Sequence, residues 1–511
     1  MIPRRTLISA GCASLLLASV VSLSATIGVA PAAASPPATY VATSGVNSPS
    51  CGSMHQPCQT ISYALGLTQA GGTIEVAPGT YNEQLVISRP VSIIGAGPAQ
   101  TVIEPSSLPT TAADTDSNIP ELAVVDVTAG TMWASLQGLT IDGSAASTQF
   151  SGCGQDFVGI YYQDASGSLD DVDVTNIELP TALFGCQDGQ GIYVATDSGS
   201  ATPSNVTMSD VFVNSYDKNG ITCDDIGTIC SIENSQVTGI GPTPLIAQNG
   251  IQIWGSSASI VNDMVSGNSY TNPYYPSDFY SAVGILVINA SGLTVTGNRI
   301  SANDDNVYAL EDASYTPQGT PRNWVISNND ASDAISNPAV PFGNGLGDGI
   351  DVDSTSTSVS VNNNTVTNDP EFGIALYGVS NASVATNNAH DDGDGLYVGG
   401  PGSVGTTSEH DSIDFNVATN DQTDGIFADT DTSADSFMGN FATGAGTSDV
   451  VDSSTGSGTA GTANTWIGTT CVSSTPNGLC SSNFHRGFPL PPHHIVPPRF
   501  PFWHGPHGFH R

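Results

Sequence analysis

Apolar and polar residues alternate in short runs through the middle of this chain, and run after run opens on a glycine followed by an apolar residue. The phrase reads Gly159-Ile160, Gly191-Ile192, Gly220-Ile221, Gly250-Ile251, Gly284-Ile285, Gly349-Ile350, Gly373-Ile374, Gly395-Leu396 and Gly425-Ile426. Most intervals are 22 to 34 residues, and the long gap from 284 to 349 holds a degenerate copy at Asn306-Val307. Repeats of that period stack to bury a core that none could bury alone. The runs have a period of two and no helical periodicity, which predicts a solenoid of strands, a parallel β-helix over residues 40–470. Residues 40–104 form its N-terminal cap and first coil. Within them Ser62–Ala70 is the one predicted helix, with Ile61, Ala64, Leu65 and Leu67 on its apolar side.

Alternation then sorts the side chains. The residue after each glycine points inward, giving an apolar core set such as Ile192/Val194, Ile251/Ile253 and Ile350/Val352. The outward set contains Tyr161, Tyr193, Thr222/Asp224, Gln252/Trp254, Leu286/Ile288, Tyr308/Leu310, Asp351/Asp353, Tyr377, Tyr397 and Phe427/Asp429. Asp348, Asp394, Asp424, Asn219 and Asn249 precede glycines and suit stacked Asx ladders that cap backbone groups.

The stretch from Pro57-Cys58-Gln59-Thr60-Ile61 through Gly79-Thr80-Tyr81-Asn82-Glu83 to Val91-Ser92-Ile93-Ile94-Gly95 resembles the cap and first coil of secreted right-handed parallel β-helix proteins of the pectate-lyase-like superfamily. The GxYxE element is similar to one in pectin methylesterases, whose later catalytic motifs are missing here. The resemblance implies an all-β, right-handed solenoid with a short helical cap. It does not specify a reaction.

Arg4-Arg5 precede an apolar stretch and Ala32-Ala33-Ala34, so residues 1–34 read as an export signal, of the general secretory or twin-arginine type. No later segment has the ~20 apolar residues of a membrane span. The rest is expected to be a secreted monomer. Eight cysteines remain beyond the signal, pairing locally as Cys51–Cys58, Cys153–Cys186, Cys223–Cys230 and Cys471–Cys480. Residues 471–483 thus form a pinned C-terminal turn. Residues 484–511, rich in proline and histidine, read as a disordered tail suited to contact with a cell wall or a metal ion.

The net charge is −38, with nine Lys+Arg against 47 Asp+Glu. Nucleic acid is excluded as a partner, because phosphate contacts need a basic surface. Neutral glycans, or anionic ones bridged by Ca²⁺, fit better.

The outward stripe of rings and carboxylates predicts a groove for extracellular polysaccharide, lined by Tyr161, Tyr193, Trp254, Tyr308, Tyr377, Tyr397, Phe427 and Asp224, with Arg322 nearby. Aromatics stacking on one another between coils is the competing account. Asp351 and Asp353, two apart on one strand, would stand ~6.5–7 Å apart, within the range of inverting glycoside hydrolysis. Neighbouring coils add Glu311, Asp312 or Glu371. Polygalacturonase-like hydrolases of this fold are the analogy. No cofactor is required, although Asp391, Asp392 and Asp394 are candidate Ca²⁺ ligands. The alternatives are a non-catalytic adhesion or spacer protein, and a Ca²⁺-dependent polysaccharide lyase using Arg322.

Overall fold

The computed structural model describes residues 37–481, apart from 110–119, 129, 132, 272–280, 312–322, 337–346, 354–357 and 402–406. The chain winds into successive coils whose strands pair in parallel with the coils before and after. The strands that carry the Gly-Ile phrase build one 14-stranded sheet, and the remaining strands of the coils join a 25-stranded set. The predicted register holds from rung to rung: Ile160, Ile192, Ile221, Ile251, Ile285, Val307, Ile350, Ile374, Leu396 and Ile426 are successive partners. All ten are buried in one continuous apolar core. The Asn306-Val307 copy takes its place in line, so the long gap is a coil with longer excursions and not a break.

The core is capped at its N-terminal end. At the N-terminus a helix runs over Ile61–Leu67, shorter than predicted, and buries Ile61, Ala64 and Leu65. Leu67, expected on the apolar side, is exposed instead, because it falls in the last turn of so short a helix. The Thr60 hydroxyl caps the helix by accepting from the Tyr63 N–H. Glu83 completes the cap: its carboxylate accepts the Ile61 and Ser62 N–H groups at 2.7 and 2.8 Å. The Tyr81 hydroxyl donates to the Ala77 carbonyl at 2.8 Å. The GxYxE element is therefore a fastener between cap and first coil, placing an anion where a helix start needs one. At the other end Phe437 and Trp466 stack at 3.9 Å.

All four expected disulfides are present. Cys153–Cys186 joins successive coils with its Cα atoms 5.1 Å apart, as their matching position in the repeat requires. No helix of the described residues is long and apolar enough to cross a membrane. Residues 1–34 and 484–511 lie outside the described residues.

The turns are held by ladders of buried side chains. Asn298, Asn329, Asn364, Asn387, Asn416 and Asn440 form one. From Asn329 onward each accepts, on its Oδ1, both the backbone N–H and the side-chain N–H of the asparagine one coil earlier, at 2.8–3.2 Å, and Asn298 accepts the Asp263 N–H. The residue before each rung has positive φ, from 56° to 71° (Gly297, Asn328, Asn363, Thr386, Phe415, Gly439). That kink turns an amide inward where only a side chain can meet it.

Two shorter ladders use aspartate. Ala334, Asp369 and Asp392 donate their N–H groups to Asp369, Asp392 and Asp421 in turn. Ala382, Asp411 and Asp435 donate to Asp411, Asp435 and Asn464. Here one carboxyl oxygen is used and the other is not: Oδ2 of Asp392, Asp411, Asp421 and Asp435 is buried without a hydrogen-bond partner. Two of these oxygens press on sheet glycines. A Cβ added at Gly373 would lie 2.5 Å from Asp392 Oδ2, and one at Gly395 would lie 2.6 Å from Asp421 Oδ2.

Burial, then the neighbouring acids, pushes Asp392 and Asp411 up to about 8 and Asp421 and Asp435 up to about 7. Folding therefore takes up protons. Their contribution to stability is full below the unfolded carboxyl value near 3.8 and is lost as pH rises through 7 to 8. Thermal melts should show the midpoint falling between pH ~4 and ~8, and D392N and D421N, which need no proton, should flatten that fall. Gly373→Ala should cost about 1–3 kcal/mol in a denaturant titration, since both the carboxyl and the next coil's backbone must move.

Candidate functional site

The outer surface of the Gly-Ile sheet has the two rows that alternation predicts. One runs Tyr161, Tyr193, Thr222, Gln252, Leu286, Tyr308, Asp351, Ala375, Tyr397, Phe427. The other runs Asp224, Trp254, Ile288, Leu310, Asp353, Tyr377. Trp254, Asp351 and Tyr377 thus share one face, as expected. Arg322 and Asp312 lie outside the described residues.

Two expectations about this face need correction. It is not open along its length: Tyr161 is 1% exposed, Tyr193 7%, Asp351 7% and Asp353 6%, whereas Asp224, Trp254, Tyr308, Tyr377, Tyr397 and Phe427 are half-buried. Nor do the rings of the tyrosine runs lie flat for sugar faces. Tyr161 stacks on Tyr193 at 5.1 Å, and Tyr397 stacks on Phe427 at 5.7 Å with planes 6° apart. Rungs a strand spacing apart bring like side chains into contact, so the rings use their faces on each other. Edges, hydroxyls and carboxylates are what this part of the surface presents.

The hydroxyls point at acids one coil on. The Tyr308 hydroxyl donates to Asp353 at 3.2 Å, Tyr397 to Asp429 at 3.0 Å, and Tyr193 to Asp224 at 3.5 Å. The pre-glycine residues serve as the expected ladder. Asn249, Asp348 and Asp394 accept backbone N–H groups of Val283, Phe372 and Asp424, and Asn249 donates to Asn219.

The chemistry concentrates in the middle coils. Asp351 and Asp353 face outward on the strand Ile350–Asp353, with Asp348 at the start of the same coil and Asp305 and Glu371 on the coils before and after, all buried. Burial, reinforced by Asp353, Asp305 and Glu371, holds the Asp351 carboxyl well above the usual carboxylate range. Burial, with Asp305, Asp351 and Glu371, does the same to Asp348. Asp351 Oδ1 and Asp348 Oδ2 have no hydrogen-bond partner. Burial and the nearby acids also raise the hydroxyls of Tyr308 and Tyr377 far above the tyrosine norm, so both stay protonated. Asp305, Asp348 and Glu371 surround the pair: Glu371 was expected as a neighbour and Asp348 only as a ladder residue, whereas Asp305 was not expected at all. The signal for Asp305 was position: like Asp348, it precedes the Gly-Ile phrase, or its Asn306-Val307 copy, of its coil.

The proposed Ca²⁺ trio does not form one site. Asp392 is a buried ladder rung, Asp394 accepts the Asp424 N–H on the outer face, and Asp391 is an exposed turn residue beside His390 at 3.1 Å. Among the described residues no group of three or more His, Cys, Asp or Glu side chains converges to hold a metal ion. The residues do not fit the cation. Lys218 does not supply a base to the stripe either: its ammonium donates to the Ala247 carbonyl at 2.8 Å, and burial pushes it down to about 8.

The chain matches a family model described as right handed beta helix region over residues 190–390, and one described as a protein of unknown function (DUF1565) over residues 43–98. With the parallel coils above, the chain folds as a right-handed parallel β-helix. No curated protein matches it. Among solved structures it is similar to the pre-mature gene product 12 of bacteriophage phi29, at 14% identity and TM-score 0.53, covering 78% of this chain and 52% of that one. It is also similar to the Dettilon tailspike protein, at 14% identity and TM-score 0.44, covering 80% of this chain and 66% of that one. The A-module of the mannuronan C-5 epimerase AlgE4 of Azotobacter vinelandii, at 14% identity and TM-score 0.41, covers 81% of this chain and 92% of its own. At such identities the likeness is one of fold.

Proposed function

We propose that this is a secreted protein that binds extracellular polysaccharide on the outer face of the Gly-Ile sheet and cleaves a glycosidic bond there with Asp351 and Asp353. The observation that carries the reading is the pairing of Asp351, whose carboxyl burial and its acid neighbours bias toward the protonated form, with Asp353 two residues along the same strand. In this scheme the Asp351 proton passes to the glycosidic oxygen as the bond breaks. The Asp353 carboxylate, oriented by the Tyr308 hydroxyl, takes a proton from the attacking water. The ~6.5–7 Å that separates side chains at this spacing leaves room for that water, which favours inversion at the anomeric carbon. No cofactor enters these steps. Substrate is contacted through hydroxyls, ring edges and carboxylates. The lyase reading loses support because the candidate Ca²⁺ ligands do not converge.

A second reading, a binding or spacer module without catalysis, is favoured by the low exposure of Asp351 and Asp353. Incubation with a panel of neutral and acidic glycans, with and without Ca²⁺, separates the two. Hydrolysis should release new reducing ends and no unsaturated product, and D351N and D353N should each slow it about 10²–10⁴-fold. Unchanged rates in both variants would remove the pair from the mechanism. Glycan binding that is lost in Y377A, with no ends released from any substrate, would establish the module.

A further inference from the structure

One outward row on the 25-stranded set changes character at its C-terminal end. Coil by coil it runs Thr296, Ser327, Asn362, Ala385, Asp414, Met438, Ile467. Small and polar side chains give way to two large apolar ones, and both stand in solvent, Met438 at 37% and Ile467 at 54% exposure. Phe415, 47% exposed, joins them from the adjoining turn. Its N–H donates to the Met438 carbonyl at 2.9 Å, and its ring lies over Gly439, where an added Cβ would come within 2.6 Å of Phe415 Cε1. Phe415, Met438 and Ile467 thus make one apolar face across three successive strands, the last of them Thr465–Ile467. A lone exposed apolar residue is ordinary, whereas three that adjoin on the solvent side of a sheet call for a cover.

The chain itself heads back to this face. Cys480 is bonded to Cys471, and the Ser481 N–H donates to the Thr469 carbonyl at 2.7 Å. From Cys480 to Ser481 the backbone therefore passes from beside residue 471 to beside residue 469, running back along the last coil toward Ile467. Ser481 is the last described residue. An extended chain covers ~3.3–3.6 Å per residue, so Phe484, three positions on, is within reach of Ile467, two positions before Thr469. Phe484, Arg486, Phe488 and Leu490 fall at every second position and share one side of an extended segment. Pro489, Pro491 and Pro492 favour that extended course and lessen the entropy lost on docking. Residues 482–511 carry three of the nine Lys+Arg and no Asp or Glu, in a chain of net charge −38, so the acidic rod attracts them. We propose that residues 482–490 lie over Phe415, Met438 and Ile467, with Phe484 and Phe488 on the apolar face. The Met438 thioether then meets a ring, and Arg486 faces Asp414, the partner of Met438 one coil earlier. This docking is independent of the carbohydrate reading.

Two probes of the full-length chain test this. Hydrogen peroxide converts accessible methionines to sulfoxides. Met54 and Met264, 67% and 47% exposed and on other coils, report the unprotected rate. Met438 should oxidise at least about fivefold more slowly than either, and F484A/F488A should bring it within about twofold of Met264. Trypsin reads the segment from its own side. Cleavage after Arg486 should be at least about tenfold slower than after Arg499, which lies beyond the docked stretch, and I467E, at an exposed position, should remove that difference. Cleavage after Arg486 as fast as after Arg499, or Met438 oxidation that F484A/F488A leaves unchanged, would overturn the docking. Protection of Met438 that fades as the protein is diluted would give the face to a second copy of the chain, and would overturn it as well.

Discussion

The inter-coil hydrogen bond made by a buried Asx side chain is the constraint on which the solenoid depends. Sheet hydrogen bonds hold coil to coil along the strands, but each coil must bend sharply between them. At the bends that carry the ladders the backbone turns an N–H inward, away from strand partners and solvent. The rows of Asn298–Asn440 and of Asp369–Asp421 meet those amides one coil at a time. A buried amide left unmet would cost about 1–3 kcal/mol. With a bend recurring in every coil, the rod has no stable form in which these rungs slip.

Asparagine and aspartate solve the same problem at different electrostatic cost. An asparagine rung spends its second group, the amide, on the next rung and on the backbone, so its ladder is neutral and complete. An aspartate rung has nothing to donate unless it keeps a proton. Stacked beside like rungs and buried from solvent, its carboxyl is pushed up to about 7 or 8 and holds a proton far more readily than a free one. The same logic applies on the outer face, where Asp348 and Asp351 lie among other acids. Scaffold and candidate site therefore draw on one physical effect, the reluctance of crowded, desolvated carboxyls to ionise. It is a liability in the turns and a proton source at the surface.

The fold was legible because its signal repeats. Glycine, apolar residue and alternation recur often enough that register could be read rung by rung, and even Asn306-Val307 found its place. The four disulfides followed from spacing. The site was legible only in part. Alternation says which way a side chain points but not what stands over it, so Asp351 was expected in the open and is buried. Ring orientation was also out of reach: a Tyr161/Tyr193 pair written one coil apart reads equally as a sugar platform or as a self-stacked column. Asp348 looked like one more turn residue, and its free oxygen is visible only once Phe372 is seen to occupy the other. The Asn ladder was missed because its signal, an asparagine after a kinked residue, is spread over unlike neighbours such as Gly297, Thr386 and Phe415.

The ladders also bear on how such a chain can change over generations. Every rung caps the coil before it and is capped by the coil after, so removing or duplicating one full winding leaves each bond with an equivalent partner. Altering a single turn strands two. Length in this architecture should therefore drift by whole windings, through internal duplication or loss, while the turns themselves stay fixed. The shortening of the interval from about 30 residues in the N-terminal coils to 22 between Gly373 and Gly395 shows how far one winding can be trimmed once its rungs are kept.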